Sequence, residues 1–279
     1  MYNCRFVAED GRNFRFGYEY GTIFDLSPLS EIDVDVSTSQ GFQQVGTTVE
    51  AETVGGVSRT LSGKFLDTSR DLPDRMLRTF VPGTHGKLYF GDDYYCDCVV
   101  QKVPAISLAA GKRDFSLMLY CAYPYWMQDV ESAYILGGYT AAFEFPACYD
   151  SHTFGVKSSA LFTNCRNDGM VSVPYAVQFR AGAPVTNYGI LNAATGEKLS
   201  LTDSLALGDV VTVYRDNGRL KVEKESGGVT TDIFFRLDED STLFSLAVGD
   251  NIIKMTADSG VDNLTAYVTL NPAFVGVLA

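Results

Sequence analysis

His85 and His152 are the only histidines in the chain, so a nucleophile activated by an imidazole would have to use one of them. Asp150-Ser151-His152 holds the right residue types, but neighbours in a strand point to opposite faces, so Ser151 and His152 diverge. His85 falls in the turn-like run Pro82-Gly83-Thr84-His85-Gly86. Gly83-Thr84-His85-Gly86-Lys87 lacks the spacing and the Ser/Thr of a phosphate loop, and is expected to be a turn.

The six cysteines, at Cys4, Cys96, Cys98, Cys121, Cys148 and Cys165, show no paired framework. Cys96-x-Cys98 puts two sulfurs on one strand face, but a zinc site needs about four ligands and no second pair or nearby histidine follows. Buried thiols acting as small hydrophobes are the simpler expectation. Asp92-Asp93 and Asp238-Glu239-Asp240 lack the spacing of a calcium loop and are expected to be solvated turns. Trp126, the sole tryptophan, is flanked by Tyr123, Tyr125 and Met127, which suits a core or junction anchor better than a sugar platform. The second half has no tryptophan; Tyr139, Tyr149, Tyr175, Tyr188, Tyr214 and Tyr267 are the aromatics that could replace one. No residue is assigned a catalytic, cofactor-binding or metal-binding role, and no enzymatic activity is expected.

Such a chain must be positioned by its packing, and its composition says how. It has 279 residues, 46% of them apolar, enough for two cores and too apolar for disorder. The 26 glycines, beside one visible helical stripe, favour an all-β architecture rich in turns. The start is studded with charge, and nothing approaches the roughly 18 uninterrupted apolar residues of a membrane span. The expectation is a protein made and folded in a cytosol without processing, with no membrane partner. The formal net charge is −12, shared by both halves: 12 basic against 17 acidic residues up to position 130, and 10 against 17 after it. No basic domain exists to hold phosphate backbones, which excludes specific nucleic-acid binding.

Along the chain, Asp10-Gly11 separates alternating runs as a hairpin turn does. Glu31-x-Asp33-x-Asp35 alternates with Ile32, Val34 and Val36, predicting a half-buried strand with an acidic solvent face. Gly41 to Gly56 shows no firm period. Leu72, Met76, Leu77 and Phe80 recur at helical spacing, with Asp71, Pro73 and Asp74 in the first turn and Val81-Pro82-Gly83 as the stop. Strand patterns follow at 87–90, 94–103 and 115–122. Pro124, Gln128-Asp129 and Gly137-Gly138 mark a boundary, giving domains 1–130 and 131–279. Beyond it, Val171 to Phe179 and Leu264 to Leu270 alternate strictly, and Asp216-Asn217-Gly218 joins Val211, Val213 to Leu220, Val222 as a hairpin. The apolar C-terminus, Pro272 to Ala279, is expected to dock as a strand on its own domain or on a neighbour, its own domain being the simpler reading.

An ordered set of residues adds a resemblance. Arg59-x-Leu61-x-Gly63, Arg75-Met76-Leu77-Arg78-Thr79-Phe80-Val81-Pro82-Gly83 running into Lys87-Leu88-Tyr89-Phe90, then Phe115-Ser116-Leu117 through Cys121 to Pro124-Tyr125-Trp126, resembles the N-terminal half of siphophage distal tail (Dit) proteins. The second half resembles the galectin-like module of that family in Asn164-x-x-Asn167-Asp168-Gly169, Thr195-Gly196, Leu207-Gly208-Asp209 and Gly249-Asp250-Asn251.

The resemblance implies an all-β fold with one short helix: an N-terminal β-sandwich or split-barrel ring-forming domain and a C-terminal galectin-like β-sandwich. It implies a structural virion protein, assembled in the host cytoplasm and placed at the distal end of a phage tail. There a homohexameric ring would join the major tail tube protein to the tail-associated lysin or hub, and its periphery would meet receptor-binding or baseplate proteins. DNA would pass its channel without specific binding. No cofactor is implied. Ring contacts are expected on Glu31 to Val57, where the family carries a protruding hairpin or loop, and around Asp10-Gly11. The alternative is a carbohydrate-binding adhesin or lectin-like module used in host-surface recognition.

Overall fold

The computed structural model describes residues 3–67, 69–109, 113–137, 139–141, 155–157, 161–216 and 218–277, with 139–141 and 155–157 as backbone only. Asp150-Ser151-His152, Cys148, Tyr149 and Asn217 lie outside the described residues, as does the side chain of Tyr139. The chain divides into two compact units. The first runs to Val130 and takes back the C-terminal stretch from Ala273; the second is Glu131–Pro272.

In the first unit the strands are β1 (Cys4–Ala8), β2 (Asn13–Phe16), β3 (Thr22–Ser27), β4 (Val34–Ser39), β5 (Thr48–Val54) and β6 (Val57–Phe65). Helix α1 (Asp71–Thr79) follows, then β7 (His85–Phe90), β8 (Tyr94–Val100), β9 (Ala105–Ser107), β10 (Asp114–Cys121) and β11 (Trp126–Gln128). The main antiparallel sheet has the order β2-β1-β7-β8-β10-β6-β3. Its two end strands come together again: Phe16 on β2 lies 6.0 Å from Phe24 on β3 and 5.9 Å from Phe115 on β10, ring centre to ring centre. The sheet thus curls around a core of phenylalanines, and Phe80, at the C-terminal end of α1, fills it against Phe6, Phe14 and Phe16. Buried residues on β1 and β10 alternate, as the pleat requires.

The helix starts and stops where its residues demand. Pro73 sits in the first turn, where no amide partner is lost. Beyond Thr79 the chain leaves helical geometry, and Gly83 takes positive φ. Met76, Thr79 and Phe80 are buried. Leu77 is not: the inward face turns through Pro73, Met76 and Phe80, so Leu77 points out beside Arg78.

The second unit contains β12 (Ser132–Gly137), β13 (Tyr139–Ala141), β14 (Gly155–Lys157), β15 (Phe162–Asn167), β16 (Ala176–Ala181), β17 (Val185–Asn192) and β18 (Lys198–Leu205). They are followed by β19 (Val210–Asp216), β20 (Arg219–Ser226), β21 (Val229–Asp232), β22 (Gly249–Ser259) and β23 (Leu264–Leu270). Two antiparallel sheets, β12-β23-β16-β19-β20-β21 and β15-β22-β17-β18, share one core. Phe179 of the first sheet meets Tyr188 of the second at 5.1 Å. This is the sandwich that the strict alternation of Val177, Phe179 and of Leu264, Ala266, Val268, Leu270 predicts, all of them buried.

The C-terminus does not dock on the sandwich. Strand β24 (Ala273–Phe274) pairs with β11 in the first unit, Phe274 opposite Trp126 and Ala273 opposite Met127. Val277 is buried in the same phenylalanine-rich core. The second unit is therefore spliced into the first between β11 and β24, a return that local sequence does not encode.

Candidate assembly surface

Among the described residues, those that could do chemistry do not assemble a reaction centre. His85 opens β7 instead of closing a turn, and its side chain is exposed. Cys96 and Cys98 are buried on the inner face of β8, and among the described residues no three His, Cys, Asp or Glu side chains converge as a metal site. Asp92 and Asp93 are exposed between β7 and β8. Asp238 and Asp240 each stand 3.8 Å from Lys198 Nζ, beside a shallow 440 Å³ depression that also takes in Phe235 and Arg236. Trp126 is wholly buried and cannot serve as a sugar platform.

The turn motifs of the second unit are absorbed by the fold. Asn167 accepts from Gly169 N–H and donates to the Val171 and Leu246 carbonyls. Asn251 donates to the Cys165, Ala247 and Gly249 carbonyls and accepts from Ala247 N–H. Asp209 accepts from Ala206 N–H and Ser226 Oγ and lies 3.4 Å from Lys224 Nζ. Burial pushes the Asp209 carboxyl upward, but these three donors outweigh it and hold the group below its ordinary range. Buried polar groups must be paired, and these side chains pair the turn backbone.

Among the described residues, β4 and β5 are strands with no buried residue at all, and with the turn between them they form an arm. β4 and β5 form their own two-stranded sheet, Val34 opposite Val54 and Val36 opposite Glu52, with a bulge after Ser37. The half-buried strand expected from Glu31 to Val36 is instead exposed on both faces, and the aperiodic run after Gly41 contains its partner strand. Directly paired residues share a face, so Val34, Val36 and Val54 lie on one face with Glu52 among them, while Asp33 and Asp35 alternate to the other. At the tip Phe42 is 95% exposed and Val45 fully so. From Glu31 to Val57 there are five acidic residues and no basic one. An isolated two-stranded hairpin is marginal in water, and exposed apolar side chains gathered on one mark a surface suited to a partner.

Its root, in contrast, is clamped. The arm prolongs the β3–β6 pair at the end of the main sheet. Where it departs, Arg59 donates to the carbonyls of Pro28 and Pro124, and Trp126 Nε1 donates to Leu29 O at 2.9 Å. Where it returns, Gly56 lies so close to Tyr120 that a Cβ would stand 2.8 Å from the Cys121 carbonyl oxygen. The other expected contact region, Asp10-Gly11, is tied down. Gly11 takes positive φ, and Arg12 pairs with Asp10 and donates to the Arg78 carbonyl at the C-terminal end of α1, where a cation is favoured.

A curled sheet with one helix, a protruding hairpin at its end strand and a sandwich spliced before the last strand is a distinctive combination. It coincides over 97% of this chain and 99% of the other with the crystal structure of SPP1 Dit (gp 19.1), described as a paradigm of the hub adsorption apparatus of phages infecting Gram-positive hosts, at TM-score 0.66 and 14% identity. This chain has the Dit fold. A chain of the phage P2 baseplate in its activated conformation with Ca matches 99% of this chain over its full length, at TM-score 0.56 and 10% identity. The same baseplate with Sr gives TM-score 0.50 and 9% identity. No protein-family profile matches the sequence, and no curated protein does. At such identities the Dit fold is kept by packing pattern, which is why the sequence signal sat in an ordered series of core and turn residues.

Proposed function

We propose that this protein is a structural component of a phage virion, a distal tail protein. Its first unit closes six copies into a ring between the tail tube protein and the hub, with a channel through which DNA passes unbound. The observation that carries this reading is the end-to-end coincidence with SPP1 Dit, a hub adsorption protein, in a chain with an exposed acidic arm tipped by Phe42 and Val45. Head-to-tail contacts that close after a fixed rotation need two different patches, and an arm fixed at its root and bare at its tip supplies one of them. The second unit offers its surface to receptor-binding or baseplate components. The role is association and not catalysis, in keeping with side chains such as His85 and Asp92 that stand in exposed positions.

Native mass spectrometry and negative-stain microscopy of the protein, alone and with tail tube and hub proteins, test the proposal. Six-membered annular particles are expected. A stable dimer with no ring, even beside both partners, would overturn it.

A further inference from the structure

The core of the first unit holds a cluster that neither the assembly role nor the sequence reading uses. Cys96 and Cys98 lie on the inner face of β8, and the fold brings Cys121, at the end of β10, against them. The sulfurs of Cys96 and Cys121 are 3.5 Å apart. Arg59 is 1% exposed, its guanidinium 4.4 Å from the centre of the Trp126 ring. Its Nη1 and Nη2 reach carbonyls, while its Nε is buried with no hydrogen-bond partner. A buried guanidinium is stabilised by an anionic group nearby. Cys121 is the acidic group beside it. Hydrogen bonds from the Cys96 and Cys98 thiols, together with the positive Arg59, hold the Cys121 thiol well below the ordinary thiol range. Burial and the proximity of Cys121 push Cys96 the other way.

We propose that Cys96 and Cys121 form an oxidisable dithiol, a modification site at which a small peroxide closes a disulfide between β8 and β10. Burial ordinarily makes a thiol inert, but here two sulfurs lie 3.5 Å apart near a buried guanidinium, which favours the nucleophilic form of Cys121. The Cys121 thiolate attacks hydrogen peroxide; the O–O bond breaks, hydroxide leaves and Cys121 becomes a sulfenic acid. The Cys96 thiol then attacks that sulfur; the S–O bond breaks, the S–S bond forms, and the Cys96 proton leaves with the hydroxyl as water. Each sulfur is oxidised by one electron and the peroxide is reduced by two. Since Arg59 stabilises the thiolate and gains nothing from the disulfide, the reduced form is favoured and the bond is readily reversed by thiols. The inference does not depend on the ring.

The test treats the folded full-length protein with hydrogen peroxide, quenches in acid, alkylates under denaturing conditions and maps peptides by mass spectrometry. The expected result is a 96–121 linkage with two alkylatable thiols lost and restored by dithiothreitol, while the buried Cys165, the one described cysteine of the second unit, stays alkylatable. Cys96→Ser abolishes the linkage; Cys98→Ser keeps it. Circular dichroism of both variants confirms their fold, and each carries its own readout if the other fails. Full alkylation at peroxide doses that leave the fold intact, or a linkage that survives in Cys96→Ser and vanishes in Cys98→Ser, overturns the proposal.

Discussion

Arg59 stacks on Trp126, and from that stack Arg59 donates to the Pro28 carbonyl and Trp126 to that of the next residue, Leu29, where the chain leaves for the arm. The core of the first unit and the direction of the arm are therefore set by one pair. Trp126→Phe keeps most of the buried ring and loses the bond to Leu29, costing about 1–2 kcal/mol, while Trp126→Ala also leaves a cavity and costs about 3–5 kcal/mol. Chemical denaturation followed by circular dichroism checks both values. In either variant cleavage at Phe42 by chymotrypsin is expected to quicken, because the root of the hairpin is loosened.

Charged substitutions at the arm tip separate folding from assembly. Phe42→Asp with Val45→Asp removes no buried contact, so the unfolding midpoint should stay within about 0.5 kcal/mol of the parent. Ring formation should be lost, as read by light scattering on a sizing column and by negative-stain images. A double variant that still closes rings would place the contact elsewhere.

Much of this fold was written locally. Strands with one face in the core announce themselves by a period of two, and the alternating valines and leucines of β16 and β23 did so. The arm could not, since neither face of β5 is buried in the chain and no burial pattern exists to read. The alternation of Val34 and Val36 with Asp33 and Asp35 was visible; what it lacks is its covering layer. Leu77 was misplaced because its spacing fits two adjacent helix faces. Cys121 joining Cys96, 25 residues away in sequence, is a contact of topology and leaves no mark in either strand.

The return of the C-terminus gives a prediction of the same non-local kind. Deleting residues 273–279 removes β24 from β11 and Val277 from the core. Burial of one valine alone amounts to about 1.5–3 kcal/mol, so the first unit should lose at least that much. Trp126, the sole tryptophan, reports the first unit by its fluorescence; its unfolding midpoint should fall. A midpoint unchanged by the deletion would show that the terminal strand contributes nothing.

In the second unit, Asp209 links stability to pH. Its carboxyl is held below the ordinary range in the folded state, so its contribution is fully present above the unfolded carboxylate value, about 3.9, and is lost as pH falls through the lower folded value. Hydrogen bonds to a charged acceptor contribute about 1.5–3 kcal/mol, which sets the expected cost of Asp209→Asn at pH 7. Lys224 is not stranded by the change, because Asp203 remains 3.0 Å from its Nζ. Urea denaturation between pH 7 and pH 3 should show the parent converging on Asp209→Asn as acid removes the same charge. Two parallel curves, with the difference kept at pH 3, would mean that Asp209 acts through its shape and not through its ionisation.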